Sequence, residues 1–300
     1  MKLDVFEWRE HGEIVLTSSF EVVAASASPL KDAAPGLVSF YEAFMARFRS
    51  GLTTYSTGTM TSWRKPTSRA YQMVPAWLAE PRNLANGEFE IIFHSGPSVT
   101  EFIPPALSLF FNNGNSYVAA ALPPDFVAHS PEPALDFVHA AVGDVFALSA
   151  GWSGYAVAFN ESMGPLNPAP EQKLRAWLKR HPGLGHGENF NIYHRALQGI
   201  SNVNWLTLLG RELVERKGGR EAISAALTAR SPDIVVHPLG EGVCIQAGPL
   251  PQIGDVNRVD NLPIYHEVGR YLKDLRSTDP PCVLDGFLDD TEEWYARFDD

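Results

Sequence analysis

Apolar and polar positions follow two periods along this chain. Residues 13 to 25, Glu-Ile-Val-Leu-Thr-Ser-Ser-Phe-Glu-Val-Val-Ala-Ala, are rich in β-branched side chains and free of glycine and proline, which predicts a strand or hairpin arm. Pro35-Gly36 ends that unit. Leu37, Phe40, Tyr41, Phe44, Met45 and Phe48 then recur at three-and-four spacing, the stripe of a helix lying on a core, with Gly51 as its stop. Residues 53 to 69 are polar and aperiodic and read as a loop, before a short helix around Pro75 to Leu78. Strand-like runs return at Phe89 to Phe93 and Tyr117 to Leu122. Pro131 and Pro133 introduce a helix with Leu135, Val138, Val142, Val145 and Phe146 on its buried face.

The second half continues in the same manner. Residues 151 to 160 read as a turn into a strand, and Gly164 to Gly187 is the candidate linker, with a helix at Glu171 to Arg180 inside it. Val203, Trp205, Leu206, Leu209, Leu213 and Val214 predict a helix that Gly218-Gly219 stops, and another helix follows through Ile223 to Leu227. Ile234 to Val236 and Val243 to Ala247 form a hairpin around Gly240-Glu241-Gly242, and Leu262 to Leu275 is the next helix. The expected fold class is α+β, with mixed helices and short-stranded sheets. Helix, strand pair, loop and helix occur twice, at about 37 to 147 and 203 to 275, which suggests two similar halves. The corresponding division is residues 1–160, a connecting segment 161–200 and a C-terminal half 201–300 with an acidic tail, one continuous domain being the alternative.

Composition narrows the function classes. With 300 residues, 45% of them hydrophobic, the chain has enough apolar surface for a large core, which excludes a small stapled fold and wholesale disorder. Lys and Arg number 24 against 35 Asp and Glu, a net charge of −11, so phosphate backbones are repelled and direct nucleic-acid binding is not expected. Asp4, Glu7 and Glu10 interrupt the N-terminus where a secretion signal would be apolar. Asp136, His139 and Asp144 break the most apolar long stretch, Leu135 to Phe159, so no membrane association is expected either. Cys244 and Cys282 make neither a disulfide framework nor a paired-cysteine zinc site, in keeping with a reducing, cytoplasmic location.

The candidate chemistry is sparse. His181, His186 and His194 lie near Glu188, but Pro182, Gly183 and Gly185 between the first two prevent one helix face from presenting them, so a polar loop is preferred to a metal site. Gly183-Leu-Gly-His-Gly lacks the phosphate-loop lysine, and Gly151-Trp-Ser153-Gly154 lacks the glycine spacing of a nucleophile elbow, which leaves Ser153 as a turn residue. Cys244 sits in an apolar strand pattern and Cys282 follows two prolines, and neither reads as a nucleophile. No catalytic residue, cofactor or metal is therefore expected. The densest polar loop carries Asp255, Asn257 and Arg258, which either form the pocket of a hydrolase-like enzyme or cap backbone amides with Arg258 paired to Asp255. At the C-terminus Asp279, Asp285, Asp289, Asp290, Glu292, Glu293, Asp299 and Asp300 face one base, Arg297, with Phe287, Trp294, Tyr295 and Phe298 interleaved. Asp285, Asp289, Asp290, Glu292, Glu293 and Trp294 are the candidate partner-binding residues, since aromatic anchors in acidic surroundings suit a basic partner. The alternative is a solvated amphipathic helix with Trp294 and Phe298 packed on the core.

Gly199-Ile-Ser-Asn-Val-Asn-Trp-Leu-Thr-Leu-Leu-Gly210, Gly218-Gly219, Gln246-Ala-Gly248, Pro251 through Arg258, Leu262-Pro-Ile-Tyr265 and Arg297-Phe-Asp299 occur in an order and spacing that resemble the type VI immunity family of bacterial proteins. Phe40-Tyr-Glu-Ala-Phe44 and the run from Tyr117 to Pro123 agree as well, so the resemblance covers most of residues 37 to 300. It implies a cognate immunity protein that binds a toxin of a type VI secretion system or a related polymorphic toxin, in several relatives a nuclease with a VRR-NUC domain. The family offers no catalytic residues to carry over.

Overall fold

The computed structural model of the chain describes residues 6–98, 100–143, 145–159, 166–186, 198–277 and 291–300. Its strands are β1 (Trp8–Glu10), β2 (Glu13–Ser26), β3 (Thr54–Thr57), β4 (Glu88–His94), β5 (Ala106–Asn112), β6 (Asn115–Leu122), β7 (Ala150–Ala158), β8 (Gly185–His186), β9 (Leu206–Leu209), β10 (Ile234–Leu239) and β11 (Gly242–Ala247). They join in one sheet of order β10-β11-β9-β7-β2-β6-β5-β4-β3, with β1 folded back on β2. Every ladder is antiparallel except the two-residue pairing of β8 with β7. The described helices are α1 (Leu30–Phe48), α2 (Met73–Leu78), α3 (Pro81–Asn86), α4 (Glu132–Ala141), α5 (Pro168–Arg180), α6 (Arg211–Arg216), α7 (Arg220–Thr228), α8 (Pro263–Leu272) and α9 (Thr291–Tyr295). The fold class is α+β, and among the described residues no helix is long and apolar enough to cross a membrane.

The sheet takes strands from both halves of the chain. β7 pairs with β2 over nine registered positions and with β9 over four, so the ladder Ala150–Ala158 joins residues before 160 to residues after 200. In β2 the alternation of a strand sends Leu16, Phe20, Val22 and Ala24 into the main core, while Val23 on the opposite face packs with Phe110, Tyr117 and Trp152. Phe20 sits where the halves meet, 5.9 Å from Trp205 and 6.1 Å from Tyr155 between ring centroids. Truncating such a ring typically costs about 3–5 kcal/mol, comparable to the whole stability of many domains.

Several elements depart from the sequence expectation, each for a physical reason. Helix α1 begins at Leu30 and runs through Pro35-Gly36 instead of starting after it. An internal proline costs about 3 kcal/mol. Burying Leu30, fully enclosed here, recovers roughly 1.5–3 kcal/mol, and Ala33, Ala34 and the Leu30 amide bond to Asn113 Oδ1 at 3.2 Å add to it. Gly36 is required at this place because a Cβ there would lie 2.4 Å from Phe146 Cα. The loop expected at 53 to 69 contains β3, and the unexpected strand β5 follows Pro104-Pro105. A two-residue Asn113-Gly114 turn with Gly114 at φ 81° joins β5 to β6, a hairpin signal that the sequence does carry. The expected helix over Val203 to Val214 is instead a buried approach, the strand β9 and the short helix α6. Ser153 lies fully buried within β7 and is not a turn residue.

His94, at the end of β4, is fully buried beside Trp63 and Phe102 on the sheet face opposite the main core. Its Nδ1 accepts the Gly96 N–H at 3.2 Å, and its Nε2 has no hydrogen-bond partner among the described residues. Burial lowers its pKa to about 4. The unfolded chain therefore binds this proton more tightly than the folded one, so stability holds above pH ~6.5 and falls as pH drops toward 4, by about 2 kcal/mol between pH 6.5 and pH 5. Urea unfolding midpoints measured at several pH values should show this loss in the wild type and a smaller one in His94→Asn, whose Oδ1 preserves the acceptor. An equal loss in both proteins contradicts the assignment.

Candidate partner-binding surface

A single turn organises the polar loop and the C-terminus. Helix α5 ends with Lys179 and Arg180, cations suited to the carbonyl end of a helix, and His181-Pro182-Gly183 terminates it. From this turn Arg180 donates to both carboxylate oxygens of Asp255, at 3.1 and 2.8 Å. His181 Nδ1 donates to Gly254 O at 2.6 Å, and the Gly183 N–H donates to Ile253 O at 2.9 Å. Asp255 also accepts the Asn257 N–H at 3.0 Å. Hydrogen bonding to Arg180 holds the Asp255 carboxyl down at about 2, so it is ionised and engaged at neutral pH. These contacts are those of a capped loop, with both Asp255 oxygens and the His181 Nδ1 engaged in holding it. Arg180, 75 residues away in sequence, clamps it through both oxygens, and Arg258 forms the expected ion pair with Asp255 at 3.6 Å from an 81% exposed side chain.

The C-terminal segment is pinned to the same turn. Arg276 donates from Nε to both oxygens of Asp299, at 3.0 and 2.8 Å, and from its terminal nitrogens to Asp299 and the Tyr295 carbonyl. Arg297 donates to Pro182 O at 2.6 Å, Asn202 Oδ1 at 2.7 Å and Trp294 O at 2.9 Å, and lies over the Trp294 ring at 3.9 Å. Burial of its guanidinium, with Arg276 nearby, pushes its pKa down to about 9, which leaves it charged at neutral pH. Phe298 is fully buried and packs on Tyr265 of α8 at 5.5 Å.

Of the predicted contact residues, Glu292 and Glu293 are exposed on α9. Trp294 is 5% exposed and faces inward against His186, at 5.2 Å, so its ring belongs to the packing of the segment. Asp285, Asp289 and Asp290 lie outside the described residues, as do His194, Glu188 and Cys282. Among the described residues no group of histidine, cysteine and carboxylate side chains could hold a metal ion. Cys244 is buried in β11 and its thiol is pushed up to about 12, far from a reactive thiolate. A groove of about 550 Å³ opens at the other end of the central strands, between Val145, Leu148, Arg211, Glu212 and Glu241. Its one arginine is taken by Glu215 and Glu241, at 2.8 and 3.6 Å, so this rim too is acidic.

What these elements define is an α+β protein of net charge −11 whose polar loop and C-terminal segment are both tied to the turn after α5. The chain belongs to the family described as type VI immunity for VRR-NUC, whose model matches residues 105–298. Among solved structures it is similar to the Pseudomonas aeruginosa T6SS protein PA0821, at 18% identity with a TM-score of 0.79, over 98% of this chain and 87% of that one. That likeness is one of fold. No curated protein matches in sequence.

Substituting Arg297 or Arg276 by alanine should release the C-terminal segment. Asp299, about one fifth exposed, would lose its cation in Arg276→Ala, a cost of about 2–3 kcal/mol after allowing for solvent screening. Limited trypsin digestion of Arg276→Ala should cut at Arg297 several times faster than in the wild type, with a lowered urea midpoint. Unchanged cleavage would show that the pin does not hold the segment.

Proposed function

We propose that this chain is a cognate immunity protein that binds and neutralises a bacterial toxin, a type VI secretion effector with a VRR-NUC nuclease domain. Its membership of the type VI immunity family carries this reading. The electrostatics agree with it. A nuclease holds phosphates with an electropositive surface, so a partner of net charge −11 is steered toward it and can cover the site where substrate would bind. Inhibition by occlusion needs no reaction, which fits a polar loop whose Asp255 and His181 both serve to hold backbone and side chains in place. The acidic stretch Asp285 to Asp300, with Glu292 and Glu293 at its exposed end, is the proposed contact surface, and the cytoplasm of the producing cell is the proposed place of action.

Expression of a candidate VRR-NUC toxin in a heterologous bacterium should kill it, and co-expression of this chain, if the toxin is its cognate, should restore growth. Growth that stays abolished with both proteins present and soluble would remove the reading. Reversing charge at Glu292 and Glu293 should weaken protection if the acidic stretch is the contact.

A further inference from the structure

The Asp255 loop has features that its structural role leaves unexplained. Four large hydrophobic residues of the described chain are markedly exposed, and two of them, Val256 at 47% and Val259 at 81%, stand three positions apart on this loop. Val259 also adopts the left-handed conformation, with φ 60° and ψ 26°. A β-branched side chain is disfavoured there by about 1–3 kcal/mol, and glycine or asparagine would hold the same turn at lower cost. Leu262, at φ 53°, repeats the strain three residues on, but its side chain is buried and contributes to the core. Among the described residues Val259 is 81% exposed, so little packing offsets its strain.

The backbone that carries these valines is over-determined. The Asp255 N–H donates to Asp260 O at 3.1 Å and the Asp260 N–H returns to Asp255 O at 3.2 Å, closing the loop at its base. Arg180 grips the Asp255 side chain, the Arg258 N–H donates to Asp255 O at 2.9 Å, and His181 holds Gly254 from outside. Val256, Arg258 and Val259 are thus offered to solvent on a frame that loses little conformational freedom on docking. The turn at residues 180–183 that fixes this frame also receives Arg297 through Pro182 O, so the loop and the acidic C-terminal segment share one anchor. The two valines flank the exposed Arg258 and are followed by the exposed Asp260, an apolar centre with charged groups of both signs at its border.

We infer that the Asp255–Asp260 loop is the apolar centre of the surface through which this chain engages its toxin. Val256 and Val259 enter a hydrophobic recess of the toxin, while Glu292 and Glu293, on the segment that shares their anchor, meet basic residues elsewhere on it. The inference rests on the reading of the chain as an immunity protein and names the part of it that makes the contact.

The experiment measures binding of a catalytically inactive form of the same VRR-NUC toxin to wild-type chain and to three variants, each also examined by thermal unfolding. Val259→Gly removes both the exposed side chain and the strain, so affinity should fall about tenfold or more while the unfolding temperature stays level or rises. Val256→Asp should weaken binding by a similar factor without loss of stability. Val145→Ser changes a valine that is 52% exposed at the opposite end of the central strands and should leave binding unchanged. Wild-type affinity in both loop variants, beside a wild type that binds, would overturn the loop inference and leave the immunity reading standing. Failure of the wild type itself to bind would overturn both.

Discussion

The structure depends on the ladder that β7 makes with β2 on one side and β9 on the other. From Ser18 onward β2 is buried on both faces, as are all of β7, β9 and β11. A buried backbone must place its N–H and C=O groups in hydrogen bonds, and these four strands do so with one another and, at their outer edges, with β6 and β10. Residues before 160 and after 200 are thereby committed to one sheet. Helices α1 and α4 pack into the same core as Phe20 and Trp205. The polar loop and the C-terminus are then fixed from a single turn at the end of α5, which is why local hydrogen bonds there have consequences for distant parts of the chain.

From this frame the functional reading follows by elimination of freedom. Asp255, Arg180 and His181 are ionisable side chains in one neighbourhood, a combination that invites an enzymatic interpretation. Their geometry uses both oxygens of Asp255 and the Nδ1 of His181 to hold a loop. What the frame leaves exposed are Val256, Arg258 and Val259 on the loop and Glu292 and Glu293 on α9. Arg297 and Arg276 belong to the same logic, since each holds the C-terminal segment while Glu292 and Glu293 remain on its outer side.

Much of the architecture was legible in the sequence where one face of an element is wet. Helices α1, α7 and α8 show a clear period because polar residues mark their outer sides, while β2 and the hairpin Ile234–Ala247 read as β-branched runs bounded by turn residues. The region Val203 to Val214 misled for the opposite reason. A central strand buried on both faces reads as a continuous apolar run, and Leu206, Leu209 and Leu213 happen to fall at helical spacing. The site was harder to read. Asp255 was visible as a loop residue, but its principal partner is Arg180, and sequence proximity suggested Arg258. Trp294 reads equally as an exposed anchor or a packed ring, and the Arg297 contact that turns it inward depends on Pro182 and Asn202 far upstream. The left-handed conformation of Val259 has no sequence signal at all, because valine is among the residues least suited to it.

The central claim is that neutralisation is stoichiometric and proceeds by covering the toxin. The most direct measurement is a titration of DNA cleavage by the purified VRR-NUC toxin against increasing amounts of this chain. The account predicts that activity falls linearly and vanishes at one chain per toxin, independently of preincubation time and with the toxin recovered unmodified. Complete loss of activity at a small fraction of equivalence, deepening with time, would show turnover and contradict it.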